Sequence, residues 1–256
     1  MKLHHKVFGQ GPTLVILHGL FGSLDNWQTL GRRFAEKRTV YLVDQRNHGK
    51  SPHLSGMDYS AMAEDLLGFF DAHGIRQASV LGHSMGGKVA MRFALDHPAL
   101  LESLVVADMG VQAYPAGHDQ IFAALESLEP ATLTNRSEAE SILSGKLDDP
   151  GVVLFLLKNL TRRAEGAYRW KMNLPAIKAD YANILTALEA DHSFDGPTLF
   201  IRGGASNYVR DADWSAIYAL FPAASLETLD GAGHWLHAEQ PDAFFDAVEN
   251  FLDRSA

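Results

Sequence analysis

The sequence predicts an α/β fold on a mainly parallel central sheet flanked by helices, with a long helical insertion between two of the strands. Three observations carry this. Short apolar or β-branched runs recur along the chain, helix-compatible stretches separate them, and from about Met109 to Gly196 the alternation gives way to helical patterns alone. Runs that are apolar throughout suit strands covered on both faces, as in a parallel sheet with helices on each side.

Taken in order, His4 and His5 look like part of an early strand, and Thr13–Leu17 and Thr39–Val43 are the first central runs. Between Asp58 and His73, Met62, Leu66, Phe69 and Phe70 share one helical face, with Asp58 placed to cap the helix and Gly74 to end it. Ala78–Leu81 is the next strand, Met85–Asp96 the helix after it, and Ser103–Ala107 the strand before the insertion. Inside the insertion no strand-like run stands out, and helical patterns cover His118–Leu128, Ser137–Leu147, Pro150–Leu160 and Pro175–Glu189. Thr198–Ile201 and Ser225–Leu229 resume the strands. Pro241 and Asp242 then open a last helix, with Phe244, Val248, Phe251 and Leu252 at core spacing. The expected organisation is one discontinuous core domain, residues 1–110 and 196–256, carrying a lid or cap over 111–195. In open α/β sheets the reactive crevice lies beyond the carboxyl ends of the strands, so an insertion leaving that edge covers it.

The 256 residues suffice for one large core without metals or disulfides. The formal charge of −9 (22 basic against 31 acidic residues) and the lack of a long basic run argue against nucleic acid as a partner. Cysteine is absent, so neither a disulfide nor a thiol nucleophile is available. Met1–Val7 lacks the apolar centre of a signal peptide, and no run approaches the ~18 apolar residues of a membrane span; a cytoplasmic protein without stable membrane insertion is expected.

Gly82-His83-Ser84-Met85-Gly86 lies between an apolar run and a helical one. In that setting a G-x-S-x-G string is a nucleophile elbow, with the serine on a sharp strained turn and its hydroxyl clear of the backbone. Gly82 and Gly86 flank the serine where a Cβ is expected to collide with the neighbouring strand and helix. A serine nucleophile needs a base, the base an orienting acid, and the oxyanion preorganised N–H donors. Gly231-Ala232-Gly233-His234-Trp235 follows the last predicted strand and supplies His234 as the base. The backbone N–H of Met85 is one oxyanion donor. The second is assigned to Leu20 in the turn His18-Gly19-Leu20-Phe21-Gly22-Ser23, with Phe21 its nearest competitor. Asp44-Gln45-Arg46-Asn47-His48-Gly49-Lys50-Ser51 reads as structural, Asp44 and Arg46 pinning the loops beside the site. His234 and His237 form an H-x-x-H, but no third ligand is placed, so no metal is expected there.

The acid is out of its usual place. The loop after Thr198–Ile201 reads Gly203-Gly204-Ala205-Ser206-Asn207-Tyr208-Val209, with Ser206 where G-x-x-D-x-x-V has aspartate. Neither Ser206 nor Asn207 carries the charge that stabilises an imidazolium. Asp108 ends the strand Ser103–Ala107, at the same sheet edge as Ser84, and is favoured over Asp211 and Asp213, which suit the cap and first turn of a following helix. Ser206 is then a fourth catalytic member, bonded to the imidazole or to the carboxylate.

Together these residues resemble the α/β-hydrolase superfamily and its fold. Within it, His18–Trp27, Asp44–Ser51, Gly82–Lys88 and Gly231–Trp235 are similar to the YbfF-type bacterial esterases and thioesterases and their mitochondrial relatives. The resemblance implies hydrolysis of carboxylic esters or acyl thioesters through an acyl-enzyme without a cofactor. It also implies an acid taken from the strand before the lid, which fits Asp108. Tyr168-Arg169-Trp170-Lys171-Met172-Asn173-Leu174 is similar to a family pattern in the lid.

Substrate clues are fewer. Tyr114, Phe122, Phe155, Tyr168, Trp170 and Met172, with Phe21 and Trp235, are candidates to line an acyl pocket, and Phe21, Trp170 and Trp235 are the substrate-binding residues expected here. Lys158, Arg162, Arg163, Arg169, Lys171 and Lys178 face a single acid, Glu165, a local positive patch that suits acyl-CoA or acyl carrier protein as well as a small-molecule acyl ester. The expected function is a serine esterase or thioesterase for small to medium acyl groups. Competing readings are a perhydrolase or acyltransferase using the same acyl-enzyme, and a non-catalytic small-molecule receptor on a hydrolase scaffold.

Overall fold

The structure, a computed structural model, describes residues 1–255; Ala256, the last residue of the expected core, lies outside them. The described strands are β1 (His5–Phe8), β2 (Thr13–Leu17), β3 (Thr39–Val43), β4 (Ala78–His83), β5 (Leu101–Ala107), β6 (Leu160–Arg162), β7 (Tyr168–Trp170), β8 (Thr198–Gly203) and β9 (Ala224–Leu229). The helices are α1 (Gln28–Phe34), α2 (Tyr59–His73), α3 (Met85–Asp96), α4 (Asp119–Glu126), α5 (Arg136–Ser144), α6 (Pro150–Leu157), α7 (Leu174–Ala179), α8 (Trp214–Leu220), α9 (Leu236–Glu239) and α10 (Pro241–Ser255). Seven strands form one sheet in the order β1-β3-β2-β4-β5-β8-β9, parallel throughout except for β1, which runs antiparallel to β3 at the edge.

Alternation along each central strand feeds two cores. Leu14, Ile16, Val40 and Leu42 pack on one face with Trp27, Leu30 and Phe34 and with Phe244 and Val248 of α10. Val15, Leu17, Val43 and Val80 pack on the other, against α2, α3 and the apolar residues of the segment between β5 and β8. The ends of α2 follow from its caps: Asp58 accepts a hydrogen bond from Ala61 N–H (2.7 Å), and Gly74 stops the helix in the left-handed conformation at φ 63°. Leu17 stands beside Gly82, His83 beside Ala107, Ala107 beside Ile201 and Gly203 beside Leu229. That register brings the turns after β2, β4, β5, β8 and β9 to one edge.

The segment between β5 and β8 departs from the expected pattern twice. A hairpin is present where only helices were expected: β6 and β7 pair antiparallel, Leu160 opposite Trp170 and Arg162 opposite Tyr168, closed by a turn with Gly166 at φ 95°. Three-residue strands are too short to leave a period in the sequence. Pro175–Glu189 is also not one helix. α7 ends at Ala179 and a 3₁₀ turn covers Tyr181–Leu185. Distant groups take the backbone and acidic acceptors there: Asp180 from Met57 N–H (2.8 Å), Ile184 C=O from the Tyr59 hydroxyl (2.5 Å) and Leu185 C=O from Tyr114 N–H (2.9 Å). Among the described residues no helix is long and apolar enough to cross a membrane.

Candidate active site

Ser84 closes β4 and opens α3 at φ 54° and ψ −122°, in a region that L-residues rarely occupy. The flanking glycines make that turn sterically possible. A Cβ on Gly82 would lie 2.1 Å from Gly86 C=O, and one on Gly86 would lie 2.6 Å from the carbonyl oxygens of both Leu17 and His18. Ser84 N–H donates to Ala107 C=O (3.0 Å), which ties the elbow to the end of β5.

Asp108 is the next residue after β5. It is fully buried, left-handed at φ 48°, and fixed by its own N–H donating to Ile201 C=O (2.8 Å). Its Oδ1 accepts from Gly203 N–H (3.1 Å), while Oδ2 accepts from the Ser206 hydroxyl (2.5 Å) and from His234 Nδ1–H (2.7 Å). The opposite ring nitrogen, His234 Nε2, accepts from the Ser84 hydroxyl (3.0 Å). Hydroxyl, imidazole and carboxylate thus form one bonded line, with Ser206 on the carboxylate and not on the ring. The competing acids are engaged elsewhere, Asp211 with Arg202 (2.6 Å) and Asp213 with Arg210 (2.7 Å).

The turn after β2 separates the two oxyanion candidates. Phe21 N–H donates to His48 Nε2 (3.2 Å), whose Nδ1–H donates to Arg46 C=O (2.9 Å), so Phe21 has its acceptor within the protein. Leu20 N–H and Met85 N–H have none among the described residues. Leu20 and Met85 border a common cavity beside Ser84. Asp44 pins this turn as expected, accepting from Leu24 N–H (2.8 Å) and Lys50 N–H (2.9 Å), while Arg46 pairs with Asp65 (2.5 Å). Burial keeps the supporting histidines neutral: the pKa of His18 is pushed down to about 4 and that of His48 to about 3.

Several further side chains surround the site without a role assigned to them from the sequence. The Tyr208 ring stacks on His234 at 3.9 Å and 18°. His83 Nε2–H donates to the His234 carbonyl (2.8 Å), and its pKa is held far below the usual histidine value by burial and by the nearby His237 and His234. His237 lies flat on Trp27 at 4.3 Å, its pKa pushed down to about 3 by burial. Lys88, fully buried on α3, donates to the carbonyls of Gln112 (2.6 Å) and Thr186, tying two parts of the segment between β5 and β8 to the elbow helix; burial lowers its pKa to about 8.

Two cavities meet at Ser84. Phe21, Phe155, Trp235 and His234 border the first; Tyr59, Met85, Met109, Tyr114 and Tyr208 border the second. Leu20 and His118 border both. Trp170, expected at the substrate, is instead held in β7 opposite Leu160 and borders neither, as do Phe122, Tyr168 and Met172. Half of the basic patch is paired with acids: Lys171 with Asp25 (2.9 Å), Lys178 with Glu126 (2.7 Å) and Arg163 with Glu165 (3.7 Å).

The comparisons with known proteins show the family. The profile of the alpha/beta hydrolase fold family matches residues 12–241. The chain is 39% identical over 249 residues to the sn-1-specific diacylglycerol lipase ABHD11 of Mus musculus, covering 94% of this chain and 81% of that one. It is 39% identical over 241 residues to Esterase YbfF of Escherichia coli, covering 94% and 92%. Among solved structures, a marine microorganism esterase superposes with a TM-score of 0.96 at 41% identity, covering 98% and 99%.

Proposed function

The chain belongs to the alpha/beta hydrolase fold family as an esterase- or lipase-type hydrolase, and from that premise we propose that it cleaves small-molecule carboxylic esters through an acyl-enzyme on Ser84. The observation that carries this reading is the line from the Ser84 hydroxyl through His234 to Asp108, at 3.0 and 2.7 Å. His234 takes the proton from Ser84 as the oxygen attacks the acyl carbonyl. Asp108 holds the ring with Nδ1 protonated and stabilises the imidazolium that forms. The N–H groups of Met85 and Leu20 receive the oxyanion, a role open to Leu20 because Phe21 N–H is already committed to His48. His234 then returns its proton to the leaving oxygen. Water, deprotonated by the same ring, repeats the attack and frees the acid.

Residues 111–195 act as the lid in this reading. Lys88 supports it, because a buried ammonium bonded to Gln112 and Thr186 ties two parts of that segment to the core. A phosphorylated acyl carrier would meet only Lys158, Arg162 and Arg169 as basic residues of the patch outside ion pairs among the described residues, so small acyl esters fit better than acyl-CoA or acyl carrier protein. Rapid mixing with p-nitrophenyl butyrate tests the reading: one equivalent of p-nitrophenol is released in a burst by the wild type and none by Ser84→Ala. Steady turnover by Ser84→Ala refutes it.

A further inference from the structure

His118 lies on the inserted segment just before α4, and its ring borders both cavities at their junction over Ser84. Its hydrogen bonds fix its tautomer. Gly117 N–H donates to the Tyr181 hydroxyl oxygen (3.2 Å), and that hydroxyl lies 2.5 Å from His118 Nδ1. Tyr181 is buried, and among the described residues its proton has no acceptor other than Nδ1. The tautomer assigned from this network has Nδ1 accepting and the proton on Nε2. Among the described residues Nε2 has no protein partner and is not a fully buried unpaired atom, on a residue that lines both cavities. Burial, and next the charge of His234, disfavour protonation of this ring. It remains a neutral donor when His234 becomes an imidazolium.

We infer that His118 Nε2–H is a substrate-binding donor, selecting esters that carry a second oxygen, hydroxyl or carbonyl, one or two carbons from the scissile bond. This rests on the acyl-enzyme reading, which also orients the substrate. The leaving oxygen must receive its proton from His234 Nε2, and His234 borders only the first cavity, so the alcohol part occupies the first cavity and the acyl part the second. Both parts pass His118. The carbonyl oxygen of the scissile ester is held by the Leu20 and Met85 N–H groups, which leaves the Nε2–H for another acceptor.

The test is a ratio of kcat/KM within two substrate pairs: glyceryl monobutyrate against propyl butyrate for an oxygen on the alcohol side, and ethyl β-hydroxybutyrate against ethyl butyrate for one on the acyl side. One added neutral hydrogen bond gives the wild type a preference of about tenfold in at least one pair. His118→Phe brings that ratio close to one; because the readout is a ratio, a general loss of activity cancels. Tyr181→Phe, which keeps the imidazole but removes the hydroxyl that fixes its proton, lowers the same ratio at least about threefold and decides the matter if His118→Phe does not fold. No preference in the wild type, or a wild-type ratio in either folded variant, overturns the assignment. Failure of the wild type to hydrolyse the plain esters instead overturns the acyl-enzyme reading and this subsite with it.

Discussion

Replacing Asp108 with asparagine keeps the shape of the side chain and turns one of its two acceptor oxygens into a donor. The carboxylate accepts three: from Gly203 N–H at Oδ1, and from Ser206 and His234 at Oδ2. With the amide NH₂ at the Oδ2 position, donor faces donor across 2.7 Å, and the neutral imidazole must move its proton to Nε2, where it faces Ser84 and no longer accepts from it. With the amide turned the other way, its NH₂ meets Gly203 N–H at 3.1 Å. The second arrangement leaves donor against donor at Gly203, and the first abolishes the base. The expected loss in kcat is on the order of 10³ or more, about 4 kcal/mol of barrier, as for removal of a tautomer-fixing acid. Steady-state hydrolysis of p-nitrophenyl butyrate reads the loss, and a native-like melting transition shows that the fold persists. Asp211→Asn, which alters only the pair with Arg202, stays within about twofold of wild type, since exposed ion pairs contribute little. A kcat for folded Asp108→Asn within tenfold of wild type refutes the reasoning.

Ser206→Ala removes one of the three donors to the Asp108 carboxylate, and its kcat should fall about tenfold, far less than for Asp108→Asn; an unchanged kcat removes Ser206 from the catalytic set. Gly82→Ala places a methyl 2.1 Å from Gly86 C=O, so the elbow must shift; at least a 100-fold loss in kcat or failure to fold is expected, on the order of 3 kcal/mol, and a folded variant of wild-type activity contradicts the elbow geometry. Stability should fall with acid. His18, His48 and His237 have folded-state pKa values of about 4, 3 and 3, below the unfolded value of 6.5, so the unfolded chain binds more protons between those limits and stability is lost as pH drops from about 6.5 toward 4. At pH 5 each ring costs about 2 kcal/mol, which for three rings lowers the melting temperature by more than about 10 °C relative to pH 7.5. Equal melting temperatures at the two pH values would show that these rings charge freely in the folded state.

What the sequence made legible follows from how each feature is encoded. Thr13–Leu17 and Thr39–Val43 are found as strands with the expected limits, because a strand covered on both faces leaves a nearly continuous apolar or β-branched run. Asp108 was within reach for a similar reason: a rigid strand fixes where its next residue emerges. Ser206 was recognised by what it replaces, although its partner, carboxylate or ring, depended on three-dimensional placement. The hairpin β6–β7 and the break after Ala179 escaped because long-range bonds, such as Tyr59 to Ile184 and Met57 to Asp180, override the local helical pattern. Trp170 was misplaced because an aromatic residue in a lid looks the same whether it faces a substrate or a hairpin partner. Tyr208 and His118 carry no motif at all, since their role comes only from meeting His234 and Tyr181 across the fold.

In the proposed reaction Ser84 is the nucleophile that takes up the acyl group. A p-nitrophenyl alkylphosphonate captures such a nucleophile as a stable adduct, and peptide mass spectrometry then locates it. One adduct per chain on the peptide containing Ser84, and none in Ser84→Ala, is the expected result. An adduct on any other residue, with Ser84 unmodified, would contradict the account.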